Sequence, residues 1–318
     1  MMPDIAIDIQ GVNKRFAATH AVRDLDLAVP TGSLCGFLGP NGAGKSTTIR
    51  MIMSIIYPDS GSISVLGANA LRNKDRIGYL PEERGLYRKM RVGDFLRYIA
   101  TLKGARYPGI RNDIREWLER IDLSEVYGRR CQELSKGMQQ KVQFLAAIIR
   151  DPDLIILDEP FAGLDPVNTS LLNTLIRELH QRGKTVIFST HVLQQAEEIC
   201  DRIFLINHGV KLLDATLEEI RARFDPRTIV VEPVDGALDA ASLPGVLDVQ
   251  PIGETARLEV TLEAEADPHA TMKAIVERQP VRAVELRRPT LNDVFVELVM
   301  KDEGEAAAAK AREELSHV

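Results

Sequence analysis

The chain has 318 residues, about two domains' worth as a soft prior. Hydrophobic residues make up 45% and charged residues 27%, a balance that excludes disorder over most of the length. The 40 basic and 46 acidic residues leave a net charge of -6, against the basic lean of a non-specific nucleic-acid binder, and no run approaches the roughly 18 apolar residues of a membrane-spanning helix.

The first ten residues carry Asp4 and Asp8 and no long apolar core, so they do not read as a signal peptide. Residues 5–9 and 25–29 alternate apolar and polar, the period of strands. Residues 34–38 read as a buried strand entering a glycine-rich loop. Residues 44–56 read as a helix stopped before Pro58, and 62–66 and 76–80 as strands. Residues 92–150 are mostly helical, with apolar spacing around Phe95, Leu96, Ile99 and Leu102 and again around Ile114, Trp117, Leu118 and Ile121. Strand character returns at 154–157, 185–189 and 202–206. Each of these runs is apolar enough for burial on both faces, as in a parallel sheet. Helices fall between them, near 168–182 and 192–200. The alternation predicts an α/β core with a helical insertion.

Residues 217–223 read as a short closing helix, and Asp225-Pro226 as a domain boundary. Beyond it, strands at 228–232, 256–262 and 281–286 and helices at 268–278 and 291–300 predict a small α+β domain. The expected division is 1–224, with a helical subdomain at about 92–150, then 225–302, then a charged tail at 303–318. Cys35, Cys131 and Cys200 are scattered and lack Cys-x-x-Cys spacing. That fits a reducing compartment and neither a disulfide framework nor a zinc site.

Gly39-Pro40-Asn41-Gly42-Ala43-Gly44-Lys45-Ser46 fits Gly-x-x-x-x-Gly-Lys-Ser/Thr, with an apolar strand before it and a helix after it. Glycines let successive backbone N–H groups curl around phosphate oxygens, and the helix beginning near Gly44 turns its positive end to the anion. In such a loop Lys45 reaches the β- and γ-phosphates and the Ser46 hydroxyl binds Mg²⁺. Residues 154–157 lead into Asp158 and Glu159, at the strand end where α/β sheets bind ligands. On its own this pair reads as a turn. Beside a phosphate loop, Asp158 is placed to hold Mg²⁺ through water, and Glu159 to orient or deprotonate an attacking water. His191, after another strand, alone reads as structural; beside both motifs it is a candidate contact to the γ-phosphate. Asp165 reads as part of a tight turn before a helix.

Together these residues resemble the nucleotide-binding subunits of ABC transporters. The resemblance rests on an ordered set over about residues 4–220. It comprises the phosphate loop at 39–47, Leu134-Ser135-Lys136-Gly137-Met138-Gln139-Gln140-Lys141, the Asp158-Glu159 strand, Gly163-Leu164-Asp165-Pro166, and Ser189-Thr190-His191. Lys14-Arg15-Phe16 looks like the family's aromatic loop. The resemblance implies a P-loop NTPase core with an antiparallel β subdomain and an inserted helical subdomain. It implies ATP and Mg²⁺ as ligands. Lys45, Glu159 and His191 would be catalytic, and Ser46, Glu82 and Asp158 would serve the metal. Phe16 would stack on adenine, beside the cradle Gly39, Pro40, Asn41, Gly42, Ala43, Gly44, Lys45, Ser46 and Thr47. Ser135, Lys136, Gly137 and Asp165 complete the nucleotide-binding set, with the segment around Ser135 and Gly137 facing the nucleotide of an opposite subunit in a head-to-tail pair. Each motif occurs once, so that subunit is a second copy or a related ATPase. The resemblance also implies a separate integral membrane permease as partner, a place at the cytoplasmic face of the membrane, and no nucleic-acid partner.

Three positions depart from the family pattern. Lys136 replaces Gly, Met138 replaces Gln, and Glu82, in Pro81-Glu82-Glu83, replaces Gln. A carboxylate binds a hard dication more strongly than an amide does. Residues 225–302 resemble the carboxy-terminal extension of ABC-2 exporter ATPases of the sodium, drug and antibiotic efflux group. The run from Val284 to Leu298, with Arg287-Arg288-Pro289-Thr290-Leu291 at its centre, carries that likeness. The leading expectation is an ATP-hydrolysing subunit that powers export through a separate permease. The alternatives are a soluble ABC-type ATPase acting on nucleic acid or ribosomes, and a regulatory module with vestigial hydrolysis.

Overall fold

Alternating burial along β1 (Ile5–Phe16) and β2 (Thr19–Pro30) pairs them antiparallel, with their apolar side chains turned inward. The structure, a computed structural model, describes residues 4–304 apart from 84, 105–107, 224–227, 236–237, 239–242, 254, 264 and 288. The expected boundary at Asp225-Pro226 and the tail beyond 304 lie outside the described residues. The chain divides into two units, one reaching Leu217 and one beginning at Glu218.

In the first unit the chain continues through β3 (Leu34–Leu38), α1 (Lys45–Ile52), β4 (Ser60–Val65), β5 (Ile77–Leu80), α2 (Val92–Leu102), α3 (Ile110–Arg120) and α4 (Lys136–Ile148). It then alternates β6 (Leu154–Asp158), α5 (Pro166–Gln181), β7 (Thr185–Thr190), α6 (Leu193–Ile199), β8 (Arg202–Asn207) and β9 (Val210–Thr216); the unit ends at the first residue of α7 (Leu217–Arg223), whose other residues open the second unit. β2, β1 and β4 form an antiparallel sheet. A second sheet runs β5-β6-β7-β3-β8-β9, parallel except for β9, which pairs antiparallel with β8. β6 and β7 are buried at every position, as expected for strands covered on both faces. One apolar core joins Ile7, Ile9, Leu25 and Leu27 of the antiparallel sheet to Ile49 and Ile52 of α1 and to Phe37, Ile156 and Phe204 of the second sheet.

In this unit two local features differ from the sequence expectation. α1 ends at Ile52 rather than Ile56, because Ser54 takes a left-handed φ of 55° that no helix continues. β9 was not expected. Asn207 and Val210 pair across His208 and Gly209, both at positive φ (43° and 81°), the geometry of a two-residue hairpin turn.

The second unit holds β10 (Thr228–Pro233), β11 (Val246–Pro251), β12 (Leu258–Leu262), α8 (Pro268–Arg278), β13 (Val281–Arg287) and α9 (Leu291–Glu303). Its strands form an antiparallel sheet in the order β11-β12-β10-β13. Ile229, Val231, Val260 and Leu262 pack with Ile275 of α8 into a core of their own. Both helices start at side-chain caps: Asp267 accepts from the His269 N–H, and Thr290 exchanges hydrogen bonds with Asp293.

Candidate functional site

β3, β6 and β7 are neighbours in register, with Leu38 beside Thr190 and Asp158 beside Ser189. Parallel strands deliver their carboxyl ends to one rim. The loop after β3, Glu159 after β6 and His191 after β7 therefore meet there.

The loop is shaped by contacts that exclude side chains. A Cβ on Gly39 would lie 2.2 Å from the Ile206 carbonyl oxygen, and one on Gly44, at φ 105°, would lie 2.5 Å from that of Ala21. Gly209 locks the loop from outside: its N–H donates to Ala43 O at 2.9 Å, and its own carbonyl accepts from Arg23 N at 2.9 Å. No side chain caps the start of α1, so its first N–H groups face the loop as an anion site. Lys45, only 6% exposed, folds under the loop and donates to Gly39 O at 2.6 Å and Pro40 O at 3.1 Å. Its ammonium is 3.8 Å from Glu159 Oε1. Burial pushes the Lys45 pKa down, and Glu159, Asp158 and Glu82 push it back up.

A cavity of about 420 Å³ opens over this loop, walled by residues 41–47 with Glu82 and Glu159. Thr19, His20, Ala21 and His208 complete it. Sequence reasoning missed these four. The His208-Gly209 turn between two apolar strands was a readable hairpin signal; His20 carried none.

At the floor, Ser46 Oγ lies 3.4 Å from both Glu82 Oε2 and Asp158 Oδ1. Asp158 is 1% exposed, and its Oδ1 accepts from Ser189 Oγ at 2.5 Å. Its Oδ2 is buried without a hydrogen-bond partner. Burial pushes the Asp158 carboxyl pKa up; Glu82 and Glu159 add to the rise, while the Ser189 and Ser46 hydroxyls oppose it. An orphaned carboxylate oxygen beside a hydroxyl and a second carboxylate is a donor set for a small hard cation. No group of three or more His, Cys, Asp or Glu side chains suited to a metal occurs among the described residues. A cation here must take its remaining ligands from water or substrate, which is the habit of Mg²⁺.

Glu159 sits at φ 49°, a left-handed backbone that costs a residue with a side chain of order 1–3 kcal/mol. Its N–H donates to Ser189 O at 3.2 Å and Ser189 Oγ at 3.1 Å. Its Oε1 lies 3.0 Å from His191 Nδ1. The turn thus aims the carboxylate along the rim between Lys45 and His191.

The other expected site residues lie apart; none of them lines the cavity. Phe16 ends β1, 47% exposed, with the Lys14 ammonium 5.4 Å from its ring centroid; its strand partner Thr19 does line the cavity. Ser135 and Lys136 are exposed at the start of α4, where Ser135 Oγ accepts from Met138 N at 3.2 Å. Gly137 faces Leu164 and Asn168. Asp165 caps α5, and the Asn168 N–H, 2.9 Å away, heads the hydrogen bonds that hold its carboxyl below the usual range.

The ABC transporter family matches residues 22–162, and the C-terminal domain of DrrA1-3-like ATP-binding proteins matches residues 216–299. The ABC transporter ATP-binding protein YhaQ of Bacillus subtilis is 37% identical, over 92% of this chain and 98% of its own length. The chain belongs to the ABC transporter ATP-binding proteins. The daunorubicin/doxorubicin resistance ATP-binding protein DrrA of Streptomyces peucetius is 31% identical, over 98% of both chains. The Nod factor export ATP-binding protein I of Rhizobium sp. is 34% identical, over 95% of this chain and 99% of its own. A solved ATP-binding subunit of an ABC transporter superposes with a TM-score of 0.64 at 30% identity, covering 69% of this chain and 93% of that one. The dimeric MJ0796 cassette, at 24% identity and a TM-score of 0.62 over 66% of this chain and 98% of that one, shares the fold. This ABC protein binds ATP and hydrolyses it to drive transport. Among the described residues no helix is long and apolar enough to cross a membrane.

Proposed function

We propose that this ABC ATPase is an exporter subunit of the ABC-2 type, working at the cytoplasmic face of a membrane through a separate integral permease. The observation that carries the chemistry is Glu159, held 3.0 Å from His191 and 3.8 Å from Lys45 at the edge of the loop cavity. Gly39–Thr47 cradle the ATP phosphates with backbone N–H groups, and Lys45 leaves its carbonyl partners for the β- and γ-oxygens. Ser46, Asp158 and Glu82 hold Mg²⁺, which when bound neutralises charge on the transferring phosphoryl group. Glu159 accepts the proton of, or orients, the attacking water, and His191 positions Glu159 and reaches the γ-phosphate. Phe16 stacks on adenine at the mouth.

Ser135, Lys136, Gly137 and Asp165 do not line this chain's own cavity. Their place in the reaction is the nucleotide of a second subunit, either a copy of this chain or a related ATPase, with the α4 N-terminus supplying N–H donors. We assign residues 1–224 to the ATPase domain, 225–302 to the C-terminal domain and 303–318 to a tail. The export assignment draws on the relatives for drug resistance and Nod factor export.

The test is capture. Glu159→Gln protein, tagged and trapped with ATP in native cells, should bring down a stoichiometric protein with several membrane spans from gently solubilised membranes. Recovery of ribosomes or nucleic acid without a membrane protein would overturn the export reading.

A further inference from the structure

Two tethers flank the strained backbone of Glu159. On its amino side, the Glu159 N–H donates to the carbonyl and hydroxyl of Ser189. On its carboxyl side, the carbonyl of the next residue, Pro160, accepts from Gln140 Nε2 at 3.0 Å. Gln140 belongs to α4 and is only 4% exposed. A left-handed conformation on a residue with a side chain persists only where its surroundings over-determine it. Ser189 and Gln140 are those surroundings.

The turn after Glu159 grips α4 a second time. Ala162 N donates to Glu159 O at 3.2 Å and Leu164 N to Phe161 O at 3.1 Å, which closes the turn. Leu164 then lies against Gly137 in the first turn of α4. The helix that opens with Ser135 therefore holds the Glu159 turn at both ends.

We infer that Gln140 is a positioning residue, which keeps Glu159 in its left-handed conformation and ties its carboxylate to α4. The inference rests on the proposed role of Glu159 in water activation. Without the Gln140 donor, the Pro160 carbonyl loses its buried partner and the turn relaxes toward negative φ. The Glu159 carboxylate then leaves His191 and Lys45. The phosphate loop is braced by the Gly209 N–H on Ala43 O, whereas Gln140 donates to Pro160, so ATP affinity is untouched. In the proposed dimer α4 meets the partner's nucleotide, so each Glu159 is aimed by a helix that senses the opposite site.

Gln140→Met keeps the side-chain volume and removes the donor. With the full chain and MgATP, kcat should fall roughly tenfold or more while KM stays within about twofold. The Kd of a fluorescent ATP analogue should stay within about twofold as well. The decisive comparison is with Glu159→Gln. If Gln140 acts through Glu159, adding Gln140→Met to that variant lowers its residual turnover by less than about twofold. Gln140→Glu, which also keeps the volume and loses the Nε2 donor, serves if the Met variant does not fold. Turnover within about twofold of wild type in a folded variant overturns the inference. So does a loss of affinity that matches the loss of turnover, or a full further loss in the Glu159→Gln background. Undiminished turnover in Glu159→Gln itself would instead refute the role given to Glu159, and the tether with it.

Discussion

His191 Nδ1 lies 3.0 Å from Glu159 Oε1, and the two residues follow neighbouring parallel strands. The histidine is one-third exposed while the glutamate is nearly buried, so His191 guards the solvent side of the carboxylate. His191→Ala should lower kcat by about 10²–10⁴-fold, the range for a lost acid–base or orienting contact, with little change in KM for ATP. Steady-state kinetics beside Glu159→Gln checks this. An effect confined to KM would show that His191 serves binding alone.

Asp158 sets a pH dependence. Its folded pKa is raised above the ordinary 3.8, chiefly by burial. A raised carboxyl contributes stability that is fully present below the unfolded pKa and lost as pH rises through the folded one. The nucleotide-free, metal-free chain should therefore lose stability across that window as its buried carboxylate ionises. Asp158→Asn should be more stable than wild type at pH 7, and its advantage should vanish as the pH approaches 3.8. Thermal melts in chelator from pH 4 to 8 would show it. A constant difference across that range would refute it.

Glu82 adds a second carboxylate oxygen beside Ser46 and Asp158. Glu82→Gln should weaken Mn²⁺ binding to the nucleotide-free chain by about tenfold, since hard-cation affinity follows ligand charge. Titration followed by the loss of the free Mn²⁺ resonance measures this directly. Equal affinities would place Glu82 outside the cation's reach.

Ile275 is fully buried in the separate core of the second unit. Ile275→Ala should destabilise that unit by about 2–5 kcal/mol. Calorimetry should show the unit's transition move down while ATP binding persists. Loss of ATP binding at a temperature where the first unit stays folded would contradict the expectation.

The phosphate loop, the Asp158-Glu159 strand end and the His191 strand end were legible because each joins a buried apolar run to a polar terminus, and register then brings the termini together. The α5 start was legible from the turn at Asp165-Pro166, whereas the α4 start, capped by Ser135, lay inside a stretch that reads only as mostly helical. β11 escaped notice because its run, Val246–Pro251, ends in a proline and leaves no residue fully buried. Residues 53–56 continue the apolar content of α1, so the sequence overextends the helix, and no propensity announces the left-handed Ser54. Gln140 escaped because a glutamine in a helix reads as surface until its carbonyl partner is known. His20 and His208 sit at two local hairpins, β1–β2 and β8–β9, and only the packing of the two sheets brings those turns beside the phosphate loop.

The hydrogen bond from Gly209 to Ala43 reaches from the end of the cassette back to its beginning. A chain emerging from the ribosome displays the whole loop long before Gly209 exists to brace it. The loop's final shape then waits on contacts distant in sequence, which form late. Tight nucleotide binding thus becomes a property of the finished cassette, and fragments ending short of β8 and β9 would carry the motif without the grip.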